Sequence, residues 1–301
     1  MNDLDDFLAQ LASVQTRRAY DHDLRQFFRF AGSSASAAED LVMPDPGDLQ
    51  AFVDEMQSEG LSVATQRRRI SAVRRFYRWL HARGTIPHNP VGDTSISFRV
   101  PEGSSSQASK SPDFLSREEI QSVLAAMDRG TERGRRDYAL VLLILFAALR
   151  RSEVAALDVG NVRPLSRHWV VDLPTKGRGP GGYVPIPNDV ADAVQTLVDS
   201  YDSAQGPLWR SLSPQNRGDR LSPDALYKSV RRAGRTADME PLTIERLRQS
   251  GLRLASKGGV TVDEIRRHAR LQSPASAVRY CTEAESSRLS GQVGTRIDLD
   301  L

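Results

Sequence analysis

The longest apolar stretch of the sequence, AlaLeuValLeuLeuIleLeuPheAlaAlaLeu, occupies Ala139–Leu149. Its 11 residues are too few to cross a bilayer, which takes about 20. A short, continuous apolar run of this kind is typical of a helix that is buried on all sides within a domain. The chain must therefore build a hydrophobic core around this segment.

The chain of 301 residues is long enough for two domains, at roughly 100–200 residues for each. A Ser-, Gly- and Pro-rich stretch at 98–112 predicts a linker between a helical domain at 1–97 and a second domain at 113–301. In the second domain, helical patterns surround two short strands that a glycine-rich turn connects. We expect a mainly α fold with a small antiparallel β-sheet.

Composition excludes several classes of protein. A single cysteine, Cys281, rules out an intramolecular disulfide and a cysteine-rich zinc site, and the five histidines show no metal-ligand spacing. The acidic N-terminus lacks an apolar signal core, so we expect a cytoplasmic protein with no membrane partner. The formal net charge of +3 is too small to identify a nucleic-acid partner, and only local clustering of charge can do so.

Such a cluster lies in the helix predicted at Ser62–Arg83. Seven arginines fall between Arg67 and Arg83, and Ser62–Arg83 contains no Asp or Glu, although the first 105 residues hold 12 basic and 14 acidic side chains. The pattern favours a face that contacts DNA phosphates over an ordinary solvated face. The candidate DNA contacts are Arg67, Arg68, Arg69, Arg74, Arg75 and Arg78.

A second arginine stands where the apolar run stops. In the helix predicted at Asp137–Leu157, Arg150 follows Leu149 directly, and Glu153 lies three residues further on, within reach of an ion pair. The simple alternative is an arginine at the end of a helix. The residues alone favour this simple interpretation, and an arginine that faces a cleft, held in place by Glu153, stays open.

The sequence around Arg150, Ala148-Leu149-Arg150-Arg151-Ser152-Glu153, resembles the first arginine box, Thr-Gly-Leu-Arg-x-Ser-Glu, of the tyrosine recombinases. This phage-integrase family includes the Xer-type enzymes. The resemblance covers nearly the whole chain, with further matching segments at 16–30, 62–80, 86–91 and 114–119. It implies a two-domain DNA clamp made of a helical core-binding domain and an α+β catalytic domain, whose C-terminal tail docks on a neighbouring subunit.

The resemblance also implies roles for individual residues. Arg150 and Arg248 match the two arginines that clamp the scissile phosphate, and Glu153 matches the acidic residue after the first of them. Lys176, in the turn between the predicted strands, matches the proposed general acid, and Tyr280 matches the nucleophile. Such a set suits phosphoryl transfer, because arginines neutralise the charge that develops on phosphorus and a tyrosine conserves the bond as an ester.

Two departures from the family pattern matter for the chemistry, while Gln249 and Ala148 also stand where the family commonly has histidine and glycine. Glu245 stands three residues before Arg248, where the family usually has histidine, and Leu271 stands nine residues before Tyr280, where it has histidine or tryptophan. Glu245 is a candidate acceptor for the tyrosine proton, with Arg246 or Arg151 as its candidate ion-pair partner. Leu271 cannot donate a hydrogen bond, and His268 is a candidate substitute for the missing donor.

The function that follows from the resemblance is site-specific DNA recombination through a 3′-phosphotyrosine intermediate and a Holliday junction. The expected partners are double-stranded DNA with paired recombination sites and a homo-tetramer, in some cases shared with a related recombinase. No cofactor or metal is expected. Two alternatives stay open: a DNA-binding protein with weak or partner-dependent cleavage, and an activity like that of a type IB topoisomerase.

Overall fold

The computed structural model of the chain describes residues 3–32, 43–92, 95–98, 114–173 and 182–281. Two compact units, Met1–Lys110 and Ser111–Leu301, divide the chain. The boundary between them falls within the segment 98–112 that the sequence predicts as a linker. Apart from Phe98, that segment lies outside the described residues.

The first unit is built from helices that polar side chains cap. Ser62 opens the last of them by accepting from the backbone N–H of Thr65, and Gly84 follows its end with φ of 79°. The second helix has Ser13 as its N-cap, because the Ser13 hydroxyl accepts the backbone N–H of Thr16. The four helices are α1 Asp3–Ala9, α2 Val14–Phe30, α3 Pro46–Ser58 and α4 Val63–Ala82.

Aromatic side chains fill the core of this unit. Helix α4 packs against α1, α2 and α3, and its Phe76 ring meets Phe7 and Phe28 edge-on at centroid distances of 5.3 and 5.7 Å. Tyr77 beside it is fully buried. Because the apolar stripe of α4 enters this core, its arginines are left on the rest of the helix surface.

The second unit surrounds one buried helix. Residues 136–147 of that helix are all buried, and it packs against three later helices and the last strand, which confirms the interpretation of the apolar run. The helices of this unit are α5 Arg117–Ala125, α6 Glu132–Ala147, α7 Arg151–Ala156, α8 Asn188–Asp199, α9 Pro223–Thr236, α10 Ile244–Lys257, α11 Val262–His268 and α12 Pro274–Val278.

The prediction of one continuous helix over Asp137–Leu157 is wrong. Helix α6 ends at Ala147, Ala148 adopts the left-handed conformation with φ of 47°, and α7 begins at Arg151. Arg150 is therefore the N-cap residue of α7, in extended conformation. This corner turns the arginine away from the path of α6, and the apolar composition of the run gives no sign of it.

A three-stranded antiparallel sheet flanks the helices, in the order β1-β2-β3. Its strands are β1 Val162–Leu165, β2 His168–Asp172 and β3 Tyr183–Ile186. Val171 pairs with Val162 on one side and with Val184 on the other. The sequence predicts β2 and β3 but not β1, whose four residues include a proline. The fold class, mainly α with a small antiparallel sheet, is confirmed. Within the described ranges, no helix has the length and apolar character that crossing a membrane requires.

Candidate active site

Arg150 is held at the corner between α6 and α7 by contacts on both sides of its guanidinium. Nη1 donates to Oε1 of Glu153 at 3.0 Å, and the backbone N–H of Arg150 donates to Oε2 of the same carboxylate at 2.7 Å. Nη2 donates to the carbonyl oxygens of Ala269 and Arg270 at 3.2 and 2.5 Å. The side chain keeps 40% of its surface exposed, so the guanidinium remains accessible to an anion.

Arg248 reaches the same place from helix α10. Its Nε donates to the carbonyl oxygen of Ala148 at 2.8 Å, and its Nη2 donates to that of Ala269 at 2.9 Å. Only 4% of the residue is exposed. Arg150 and Arg248 thus share the Ala269 carbonyl, and two arginines nearly 100 residues apart in sequence converge on the turn between α11 and α12.

Glu153 is the anion that joins this cluster. Burial alone would raise the pKa of its carboxyl, but the charges of Arg270 and Arg150 and the hydrogen bonds from both residues hold that pKa below its ordinary value. The carboxylate is therefore ionised at neutral pH and binds two guanidiniums at once.

Arg270 is the member of the cluster that sequence reasoning missed. It lies in the turn after α11 with φ of 55°, and its Nη2 donates to Oε2 of Glu153 at 2.7 Å. The arginine is visible in the segment just before Leu271, but its left-handed backbone is not, and only that geometry aims the side chain at Glu153.

Glu245 lies one turn before Arg248 on α10. Its Oε1 accepts from Nε2 of Gln249 at 2.8 Å and lies 3.5 Å from Nη1 of Arg248. About half of the side chain is exposed. Of the two expected partners, Arg151 pairs with Asp224 instead, while Nη1 of Arg246 donates to the carbonyl of Pro241.

His268 is engaged by the protein. Its Nε2 lies 2.9 Å from the carbonyl oxygen of Phe146, which can only accept, so Nε2 carries the proton. Burial, and then the charge of Arg270, lowers the pKa of His268 to about 4, which leaves the ring neutral at pH 7. Leu271 packs against the hydrophobic core. In this arrangement, the Nε2–H of His268 is hydrogen-bonded to the Phe146 carbonyl and is not available to a ligand.

The Tyr280 side chain is fully buried. Its ring lies 6.3 Å from that of Phe114, and its hydroxyl accepts a hydrogen bond from Nη2 of Arg279, whose guanidinium also covers the ring. Among the described residues, no hydrogen bond joins this hydroxyl to Arg150 or Arg248. The structure therefore brings the two predicted arginines together, and it pairs the hydroxyl of the predicted nucleophile with Arg279.

Two further expectations lie outside the described residues: Lys176 and the docking tail after 288. Within the described ranges, no group of three His, Cys, Asp or Glu side chains is placed to hold a metal ion.

The six arginines predicted to contact DNA separate into two sets. Arg68 and Arg69 form ion pairs with Asp23 of α2, a side chain with no exposed surface. Burial raises the pKa of Asp23, and the charges of the two arginines oppose that rise. These two guanidiniums thus compensate a buried carboxylate.

The other four arginines line a groove of about 900 Å³ in the first unit, together with aromatic side chains. The guanidinium of Arg67 lies 5.4 Å from the ring of Phe98, and that of Arg75 lies 5.9 Å from the ring of Tyr20. Arginine side chains are among the groups that most often contact nucleic-acid phosphates. The arginines of the groove are Arg67, Arg74, Arg75 and Arg78.

Comparison with known proteins identifies two family models in the chain. The "Phage integrase, N-terminal SAM-like domain" matches residues 4–84, and the "Phage integrase family" matches residues 113–286. A tyrosine recombinase of Synechococcus elongatus is 28% identical over 279 residues, which is 87% of this chain and 83% of that protein. The tyrosine recombinase XerC of Pelotomaculum thermopropionicum is 28% identical over 291 residues and 90% of each chain.

Two solved structures share the fold at low sequence identity. A XerH site-specific recombinase bound to a palindromic difH substrate, in a post-cleavage complex, is 18% identical with a TM-score of 0.68, over 89% of this chain and 76% of that one. A lambda integrase tetramer bound to a Holliday junction is 15% identical with a TM-score of 0.65, over 96% and 78%. At this identity, the likeness establishes the fold alone.

Proposed function

The chain belongs to the phage integrase family of tyrosine recombinases, and we propose that it is a site-specific DNA recombinase that cuts and rejoins strands through a 3′-phosphotyrosine intermediate and a Holliday junction. The observation that carries the proposal is the convergence of Arg150 and Arg248 on the Ala269 carbonyl. Two fixed guanidiniums at one point match the charge of a phosphodiester under attack.

In the cleavage step, the Tyr280 oxygen attacks phosphorus, and the bond from phosphorus to the 5′ oxygen breaks. Glu245 takes the tyrosine proton, and Lys176 supplies a proton to the leaving 5′ oxygen. The 5′ hydroxyl of the partner strand then reverses these transfers on the phosphotyrosine. Bond energy is conserved throughout, so the step needs no nucleotide cofactor.

Before this step can occur, the Tyr280 hydroxyl has to leave the Arg279 guanidinium. Its burial in the core of the second unit favours cleavage that depends on assembly over cleavage by a single copy. We propose a homo-tetramer on two paired DNA sites in the cytoplasm, shared with a related recombinase where the sites differ. The tail at 289–301 is the proposed contact to the neighbouring subunit.

The groove of the first unit is the proposed contact with the DNA backbone. The logarithm of the DNA-binding constant falls as the logarithm of the salt concentration rises, and each phosphate contact that is lost should make this slope shallower by about 0.9. Arg75→Ala combined with Arg78→Ala should therefore make the slope shallower by about 2. Arg25→Ala, an exposed arginine of α2 paired with Asp21, is the control and should leave the slope unchanged.

The test of the recombinase function begins with the target sequence. The Tyr280→Phe variant is used to select the DNA duplexes that it binds from a pool of random sequences, and these give the target site. A nicked suicide duplex that carries this site then traps the covalent intermediate. We expect a covalent adduct with the unaltered protein and none with Tyr280→Phe. Tyr183→Phe, which alters an exposed tyrosine on β3, should form the adduct at the normal rate.

Other outcomes identify the alternatives. A mobility shift without any adduct identifies a DNA-binding protein, and an adduct that forms only when a related recombinase is added identifies partner-dependent cleavage. Relaxation of a supercoiled plasmid that lacks the site identifies topoisomerase-like activity. Two-site plasmids that yield recombinant products identify the recombinase.

A further inference from the structure

Arg270 occupies an unusual backbone position for its residue type. Its φ of 55° lies in the left-handed region, where a side chain other than that of glycine is disfavoured. The turn follows α11 and carries the Ala269 and Arg270 carbonyls that receive Arg150. A residue kept in such a conformation often has a role that the surrounding contacts enforce.

The Arg270 guanidinium ties three backbone segments together. Nη1 donates to the carbonyls of Ala147 and His268 at 3.3 and 2.6 Å, and Nη2 donates to the carbonyl of Ala148 at 2.7 Å and to Oε2 of Glu153 at 2.7 Å. The four Nη hydrogens are thereby used. The Nε–H is buried with no partner among the described residues, so the group presents no donor of its own to a phosphate.

Through these contacts, Arg270 is connected to both Nη atoms of Arg150. The carbonyl of Arg270 accepts from Nη2 of Arg150, and Glu153, which binds Arg270, also binds Nη1 and the backbone N–H of Arg150. Arg270 also fixes the Ala147–Ala148 corner on which Arg150 is mounted.

Charge leads to the same interpretation. Glu153 carries one negative charge, which two guanidiniums share. Without Arg270, that carboxylate would be balanced by Arg150 alone, and the pair would approach neutrality. With Arg270 in place, Arg150 keeps more of its positive charge for an incoming phosphate.

We propose that Arg270 is a positioning residue that orients Arg150 and preserves its charge for the scissile phosphate. The inference rests on the proposed function, because the phosphate is that of the recombination site. Since Arg270 acts through Arg150, it should affect the rate of cleavage and leave the affinity for DNA unchanged.

The test compares Arg270→Gly, which suits the left-handed backbone and removes the guanidinium, with Arg270→Lys, which keeps a charge without the fork. Arg267→Ala, an exposed arginine of α11, is the control. In single-turnover adduct formation, we expect Arg270→Gly to be up to about 100-fold slower, because a misplacement of about 1 Å near the reacting atoms can cost that much. Arg270→Lys should recover part of this rate, the control should equal the unaltered protein, and DNA affinity should stay within about twofold throughout.

A double-mutant cycle separates positioning from general structural damage. If Arg270 acts through Arg150, adding Arg270→Gly to Arg150→Ala should slow cleavage by no more than about twofold. Rate losses that multiply in the double variant, or an Arg270→Gly protein that cleaves at the normal rate, would overturn the proposal. If Arg270→Gly does not fold, the same double-mutant cycle is made with Arg270→Lys.

A spectroscopic readout tests the inference independently of cleavage. In 15N-arginine-labelled protein, the Nη signals of Arg150, assigned by their loss in Arg150→Lys, should be resolved, because both Nη atoms are hydrogen-bonded. In Arg270→Gly, they should collapse to the averaged position of a freely rotating guanidinium. Unchanged Arg150 signals in Arg270→Gly would refute the positioning role, whether or not the unaltered protein forms an adduct. Collapsed signals in Arg270→Gly, together with an unaltered protein that forms no adduct, would refute the proposed function but not the positioning role.

Discussion

Gly251 lies where helix α10 touches helix α6, and its replacement by alanine should disturb the arginine cluster. A Cβ at this position would lie 2.1 Å from the carbonyl oxygen of Leu145 and 2.9 Å from the carbonyl carbon. Both are backbone atoms, so no side-chain rotation relieves the contact. The helices would have to separate by about 1 Å before the contact reached 3.0 Å, below which Cβ atoms are essentially never found.

The magnitude follows from two opposing contributions. Helix propensity favours alanine over glycine by about 1 kcal/mol, whereas overpacking costs about 1–3 kcal/mol and more where backbone is involved. We expect the free energy of unfolding to fall by about 2 kcal/mol, which corresponds to a fall of about 4–8 °C in Tm for a unit of this size. Arg248 lies one turn before Gly251, and the same separation would break its 2.8 Å bond to Ala148. A displacement of this size near reacting atoms can cost about 100-fold in rate.

Calorimetry of the full chain and single-turnover adduct formation, at a temperature where both proteins are folded, measure the two effects. Gly160→Ala is the matched control, because Gly160 is exposed and a Cβ there meets no atom within 4 Å. If Gly251→Ala keeps the Tm of this control to within about 1 °C and its cleavage rate is unchanged, contact between α6 and α10 does not determine where Arg248 lies.

Three more outcomes are expected. Arg279→Ala should speed adduct formation in single-turnover assays, because the Tyr280 hydroxyl loses its partner; an unchanged rate would show that this contact does not limit cleavage. Glu245→Gln should slow cleavage by about 100-fold or more and flatten its pH profile if the carboxylate takes the tyrosine proton, whereas faster cleavage would identify a merely repulsive anion. The pKa of His268 is about 4 against an ordinary 6.5, so the unfolded chain binds more protons between these pH values. Stability should therefore be unaffected above pH 6.5 and fall as the pH decreases toward 4, by up to about 3 kcal/mol. His268→Gln should remove this loss in urea unfolding at successive pH values, and a curve like that of the unaltered protein would contradict it.

The parts of the fold that were predicted correctly depend on local patterns. The apolar run indicates a buried helix whatever the chain does around it, and the capping box that Ser116-Arg117-Glu118-Glu119 forms at the start of α5 is a pattern of the same local kind. The corner at Ala148 was missed because a left-handed residue inside an apolar run has no local signature when the residue is alanine rather than glycine. Strand β1 was missed because four residues that include a proline carry almost no periodicity.

The site was predictable as a set of residue types but not as a set of contacts. Arg150 and Glu153 are three residues apart, so their ion pair follows from spacing. The pairing of Arg68 and Arg69 with Asp23 joins two helices, and it depends on packing that the charge pattern of one helix does not contain. For the same reason, Arg270 was overlooked.

The charges of the described cluster explain why its arginines are not interchangeable. Arg150, Arg248 and Arg270 face two carboxylates, Glu153 and Glu245, and His268 is neutral at pH 7, so a single net positive charge remains. Arg248 and Arg270 are largely buried and bound to backbone carbonyls, whereas Arg150 is 40% exposed. Arg150 is therefore the guanidinium most accessible to a phosphate, Arg248 supplies the second charge of the clamp from a fixed position beside it, and Arg270 determines the geometry of Arg150. It follows that losses at Arg150 and Arg270 should not add, because removing Arg150 removes what Arg270 supports.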